Sequence, residues 1–197
     1  QPASIRLGCA TAYLTTGQLE AADHVLTTLE GYSGDLQVSI DMARIYLAAA
    51  RRDASSTIAQ GKTLLSRLPN GQHFRRGQAL TLIGLAHWLS GNVRDARKSF
   101  STFLETSLAA DDLPNAVSGA FVLSHLTMQT GDVDGAAEVC HRVLGLIDST
   151  ELKPPLGTGD LFRELAVIHC ERGQLIEATH YLEEAKQCAD GDALPDW

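Results

Sequence analysis

Apolar residues in this chain recur three and four positions apart, the period of an amphipathic helix. Leu19, Ala22, Leu26 and Leu29 form one such face. No stretch alternates apolar and polar residues, and no hairpin dipeptide occurs, so the pattern predicts helices and no sheet. A short turn punctuates the helices and recurs. Gly131-Asp132-Val133-Asp134-Gly135-Ala136 returns as Gly17 through Ala22, Gly91 through Ala96 and Gly173 through Ala178, with a worn copy at Arg52 through Thr57. The glycine can take the left-handed conformation that ends one helix. Asp or Asn just after it can cap the next.

The anchors at positions 17, 52, 91, 131 and 173 stand 35, 39, 40 and 42 residues apart. Periods of roughly 34–47 residues belong to helix-pair solenoids. The register agrees at distant offsets. Seven residues before the anchors stand Ala10, Ile45, Gly84, Ser124 and Ala166, four of them small. Twelve residues after them stand Leu29, Leu64, Phe103, Val143 and Ala185, all apolar. The repeats cover about 4–32, 35–69, 75–111, 113–149 and 157–190. Each has an A helix before the turn and a B helix after it. In the first repeat the B helix is expected over 18–31. The expected architecture is all-α, a single domain over 1–197, with about five helix pairs stacked into a right-handed α–α superhelix. The A helices would line its concave surface.

Composition narrows the function. Hydrophobic residues make up 44% of 197 residues, enough for a packed core. The net charge of −8 argues against a grip on a phosphate backbone by this segment. No apolar run approaches the ~20 residues of a membrane span. The four cysteines, Cys9, Cys140, Cys170 and Cys188, show no paired spacing, which fits free thiols in a cytoplasmic protein. There is no initiating methionine, and the chain reads as a piece of a longer protein.

A small residue, a glycine seven later and an alanine five beyond that resemble tetratricopeptide repeats. The run from Arg75-Arg76-Gly77-Gln78-Ala79-Leu80 through Gly84, Gly91 and Ala96 narrows the likeness, as does Pro155-Leu156-Gly157-Thr158-Gly159-Asp160-Leu161 through Gly173 and Ala178. Both resemble the repeat region of the large ATP-binding LuxR-type regulators, the MalT-like bacterial transcription factors. The second repeat departs most, with Arg52 for glycine and Thr57 for alanine. The resemblance implies a cytoplasmic, non-enzymatic sensor region that receives a small-molecule effector or a protein partner. In that family a nucleotide-binding domain precedes the region and a helix-turn-helix domain follows. Occupancy there biases a monomer towards an assembly, so oligomerisation is open to this chain. No GxxxxGK[ST] phosphate loop occurs. The alternative is a stand-alone tetratricopeptide adaptor that docks a peptide.

Inner-face register positions give Tyr46, Thr81, Trp88, Phe121, His125 and Arg163 as the candidate ligand- or partner-binding wall. Aromatics offer contact area, and Arg163 offers a fork for an anion. The same aromatics fit ordinary packing between repeats. No cofactor is expected. Cys140-His141 and His169-Cys170 invite a metal, but neighbours on a helix diverge by ~100°, and no CxxC or HxxxH spacing supports a closed site. No Ser-His-Asp arrangement is legible, since Ser118 and His125 lie two helical turns apart. Arg75-Arg76 is a further candidate contact for an acidic partner, at a helix start where the helix dipole does not favour a cation.

Overall fold

A computed structural model describes residues 2–150 and 153–190. Ten α-helices and no strand appear among them: α1 (Ala3–Thr15), α2 (Leu19–Thr27), α3 (Gly34–Ala50), α4 (Ala54–Arg67), α5 (His73–Leu89), α6 (Val93–Leu108), α7 (Leu113–Gln129), α8 (Val133–Asp148), α9 (Thr158–Glu171) and α10 (Leu175–Asp190). They fall into two compact units, 1–99 and 100–197.

The repeated turn works as its residues dictate. Gly17, Gly91, Gly131 and Gly173 all have positive φ. Arg52 adopts the same left-handed state, at φ 57°, so the worn copy keeps the geometry without the residue that favours it. Asp53 and Asp132 cap the following helices, accepting from the amides of Ser56 and Gly135. Gln18 makes no such cap.

Five residues after each anchor, Ala22, Thr57, Ala96, Ala136 and Ala178 are all buried. Thr57 tolerates this because its hydroxyl donates to the Asp53 carbonyl at 2.7 Å. In the fourth repeat the Ser124 hydroxyl donates to the Ala136 carbonyl at 2.9 Å, tying the A helix to the B helix.

In the first unit, Ala10 of α1 and Ala22, Leu26 and Leu29 of the α2 segment share a core with Ile40, Ala43 and Leu47 of α3. Met42 and Ile45 then share one with Leu64, Leu68, Ala79 and Leu82. Each pair is thus closed by the A helix of the next, because one pair cannot bury its own apolar face. The same rule shapes the second unit, where α9 packs on both α7 and α8.

One boundary departs from expectation. Helix α2 stops at Thr27, short of residue 31. The Thr27 and Thr28 hydroxyls donate to the carbonyls of His24 and Val25. The Arg44 guanidinium donates to the carbonyls of Leu26 and Leu29 at 3.3 and 3.2 Å. These donors satisfy the last carbonyls, so the helix ends before the breaker Gly31.

Candidate functional site

In the second unit, three of the six candidates are brought together by two A helices. Phe121 and His125 stand one turn apart on α7, and Arg163 stands on α9. The Arg163 guanidinium lies over the Phe121 ring, 5.6 Å from its centroid, a cation–π arrangement. Asp160, one turn earlier on α9, holds the same guanidinium at 3.1 Å. Half of the Arg163 side chain stays in solvent.

Beneath them lies a residue that the sequence reading did not single out. Glu164 is 5% exposed. Its Oε1 stands 3.3 Å from His125 Nδ1, within ion-pair reach, yet no donor meets hydrogen-bond geometry at that oxygen. Burial pushes the Glu164 carboxyl above the ordinary carboxylate range, and the charges of His125 and Arg163 only partly oppose it. The signal was present in the register. Nine residues before the other anchors stand Gly8, Ala43, Leu82 and Val122, so a carboxylate at that position is the exception. On the outer side of His125, Gln129 Nε2 meets Nε2 of the imidazole at 3.2 Å.

The first unit holds the other three candidates. The Tyr46 hydroxyl on α3 is met by Gln78 Nε2 of α5 at 3.5 Å, and its ring is partly exposed. Thr81 and Trp88 are half-buried on α5, and the Thr81 hydroxyl donates within its own helix to Gly77 at 3.0 Å. Tyr46 thus meets α5 through Gln78. The six candidates divide between the units.

A cleft of about 590 Å³ opens between α2, α3 and α4, and none of the six candidates lines it. Its charges are spent internally. Arg51 binds Glu20 and Asp23 at 3.0 and 2.8 Å, and Arg67 binds Asp41 at 2.8 Å. Of the basic pair proposed for an acidic partner, Arg75 binds Asp35 at 3.0 Å. Arg76 donates to the Leu65 and Leu68 carbonyls at the end of α4, which is a capping role.

No group of three or more His, Cys, Asp or Glu side chains among the described residues converges as a metal would need. Cys140 is fully buried beside Ser124, and burial pushes its thiol up to about 12, which makes it a poor nucleophile. Ser118 donates to its own helix at Pro114. Three histidines do gather around Tyr181: His169, His180 and His141 have ring centroids 5.1, 5.6 and 6.2 Å from it. Burial, then the charges of His169 and Arg172, hold the His141 imidazole below its ordinary value. No helix among the described residues is long and apolar enough to cross a membrane.

The fold has solved counterparts. The chain is similar to the TPR-like repeats of a putative kinesin light chain from Podosopora anserina, at 15% identity over 95% of this chain and 94% of that one, with a TM-score of 0.75. It is similar to the apo form of RapI at 10% identity over 96% and 70%, with a TM-score of 0.80. BtubC from P. vanneervenii aligns at 16% identity over 95% and 80%, with a TM-score of 0.75. No curated protein matches the sequence. At these identities the likeness establishes the all-helical, TPR-like fold alone. The sequence itself goes further: residues 38–195 match the family described as the MalT-like TPR region, and with its helix pairs in that register the chain belongs to that family.

Proposed function

We propose that this chain is the sensor region of a LuxR-type, MalT-like bacterial transcription regulator, working in the cytoplasm and without catalysis. It receives a small effector or a protein partner on the face made by its A helices, the concave one in this reading. Tyr46, Thr81, Trp88, Phe121, His125 and Arg163 form the contact wall. DNA and nucleotide are handled by other segments of the parent protein. A ligand acts by binding one of two states better than the other.

The observation that carries this reading is the grouping on α7 and α9. A solvent-facing guanidinium lies over an aromatic ring, beside a half-exposed imidazole backed by a buried carboxyl. That surface offers an anion fork, an apolar plate and a polar edge within neighbouring turns, the mixture a selective site uses. The family match supports the regulator reading. A stand-alone adaptor that docks a peptide is the second reading, favoured by the same helix-pair fold.

Calorimetry against a metabolite panel and a peptide library tests both. Phe121→Ala and Arg163→Ala are each expected to weaken the ligand found by tenfold or more, with the melting temperature nearly unchanged. Binding that ignores both substitutions would remove this wall from the function. A metabolite hit favours the sensor and a peptide hit the adaptor.

A further inference from the structure

The charges on α7 and α9 are balanced in a way that bears on what this surface can hold. Arg163 brings one positive charge to the surface, and the carboxylate of Asp160 at 3.1 Å offsets it. The guanidinium also lies over Phe121, 5.6 Å from the ring centroid, so its place is set from two sides. Asp160 engages Nη2, and a guanidinium carries more N–H donors than one carboxylate uses. A second anion can therefore share the fork, but it meets a cation that is already matched.

The groups that can shift this balance stand just behind. Glu164 Oε1 lies 3.3 Å from His125 Nδ1 across the two helices, with the carboxyl side chain 6% exposed and the imidazole 43%. One partner is enclosed, and the other opens to solvent. Along α9, Leu161, Leu165 and Ile168 are fully buried neighbours of Glu164. Enclosure of this kind disfavours an ionised carboxyl, and it raises the proton affinity of Glu164 despite His125 and Arg163. The other elements add little charge. From α8 comes Cys140, whose thiol is pushed up to about 12 and keeps its proton. Gln129 meets the outer nitrogen of His125 at 3.2 Å and is uncharged.

A proton added to either member makes the site more positive by one charge. It neutralises Glu164 or charges His125. An anion on the Arg163 fork favours that proton, and by linkage the proton favours the anion to the same extent.

We propose that the wall on α7 and α9 holds its ligand through a carboxylate group, and that the His125–Glu164 pair takes up one proton as the ligand binds. This rests on the reading of that wall as the binding surface. The planar fork accepts carboxylate oxygens in its plane, as it already does with Asp160. One negative charge also matches one proton, whereas a phosphate dianion brings two.

Benzoate is the probe, with benzamide as its uncharged counterpart and inorganic phosphate as the rival anion. Nuclear magnetic resonance of the α7 and α9 amides follows each titration from pH 5.5 to 8. Benzoate affinity should rise as pH falls, towards the limit of about tenfold per pH unit that one linked proton sets. Benzamide should bind more weakly and without a slope. The double variant His125→Asn, Glu164→Gln should still bind benzoate but at the same affinity throughout. The proposal is overturned by a flat benzoate profile, by a slope that survives the double substitution, or by benzamide or phosphate binding as tightly as benzoate. Absence of benzoate binding at millimolar concentration overturns it too. Arg163→Ala separates this from the reading beneath it. A flat response that Arg163→Ala abolishes keeps the wall and removes only the proton, whereas a response that ignores Arg163→Ala removes the wall as well. Should the double variant fail to fold, calorimetry of the unmodified chain in two buffers of different ionisation heat counts the proton directly, and a count of zero overturns the proposal.

Discussion

Glu164 Oε1 approaches His125 Nδ1 to 3.3 Å across α9 and α7 without a hydrogen bond. A carboxyl group is thereby buried at a repeat-contact position, and its neighbours His125 and Arg163 only partly offset that burial. Its raised pKa fixes the sign of a pH effect. The unfolded chain ionises this group near its ordinary value of 4.5, and the folded chain resists. Stability from the neutral acid is fully present below that value and is lost as pH rises through the higher folded value. Glu164→Gln should therefore stabilise the protein at pH 7, with the gain shrinking to nothing below about pH 4.5. Urea unfolding of both proteins from pH 4 to 8 measures this. A loss of stability in Glu164→Gln at pH 7 would mean that the His125 contact outweighs the burial.

Arg52 sits where the other turns use glycine, at φ 57°. A side chain in the left-handed state costs roughly 1–2 kcal/mol, and Arg52 is exposed. Arg52→Gly should therefore stabilise by about 1 kcal/mol, or roughly 2–4 °C in melting temperature for a chain of this size. The control is Gly131→Ala, in a turn at φ 81°, which should move the other way. Calorimetry that shows no gain for Arg52→Gly would place the strain elsewhere.

These two residues mark where the sequence was and was not legible. Arg52 could be aligned as a turn because its flanking positions kept register, and the fold followed from such periodic positions. The helix end at Thr27 was hidden because threonine hydroxyls and a distant Arg44 closed it before the glycine did. Glu164 was hidden for another reason. In the run Phe162-Arg163-Glu164-Leu165 it reads as one of two solvated charges, and only the packing of α9 against α7 separates the exposed one from the buried one. The contact of Phe121 with Arg163 depends on which A-helix faces meet, which a one-dimensional register proposes but does not locate.

Thiol reactivity should split by burial. Cys9 and Cys170 are exposed, while Cys140 is fully enclosed with its thiol held near 12. An aromatic disulfide reagent at pH 8 should label Cys9 and Cys170 quickly and leave Cys140 until denaturant is added. Cys188 is half-buried with its thiol raised, chiefly by burial and then by Glu184, and should be slower than the first two. Fast labelling of Cys140 in the folded protein, read by peptide mass spectrometry, would show that α8 opens locally.

Gly61 is required by contact and not by backbone conformation. It lies inside α4, where alanine would be favoured by about 1 kcal/mol on helix propensity. The added Cβ, however, would meet Ile83 Cγ1 at 2.7 Å and Cδ1 at 2.8 Å. Cγ1 is close to the backbone of a buried residue and cannot swing clear as a side-chain tip would. Overpacking of this kind costs typically 1–3 kcal/mol, so Gly61→Ala should destabilise despite its better propensity. Ile83→Ala alone should destabilise by about 2–5 kcal/mol through the cavity it leaves. Combined, the two should cost clearly less than their sum, because each removes the other's fault. A chemical-denaturation double-mutant cycle measures the coupling. Strict additivity would mean that α4 and α5 move apart enough to admit the methyl group, and that this interface is not close-packed.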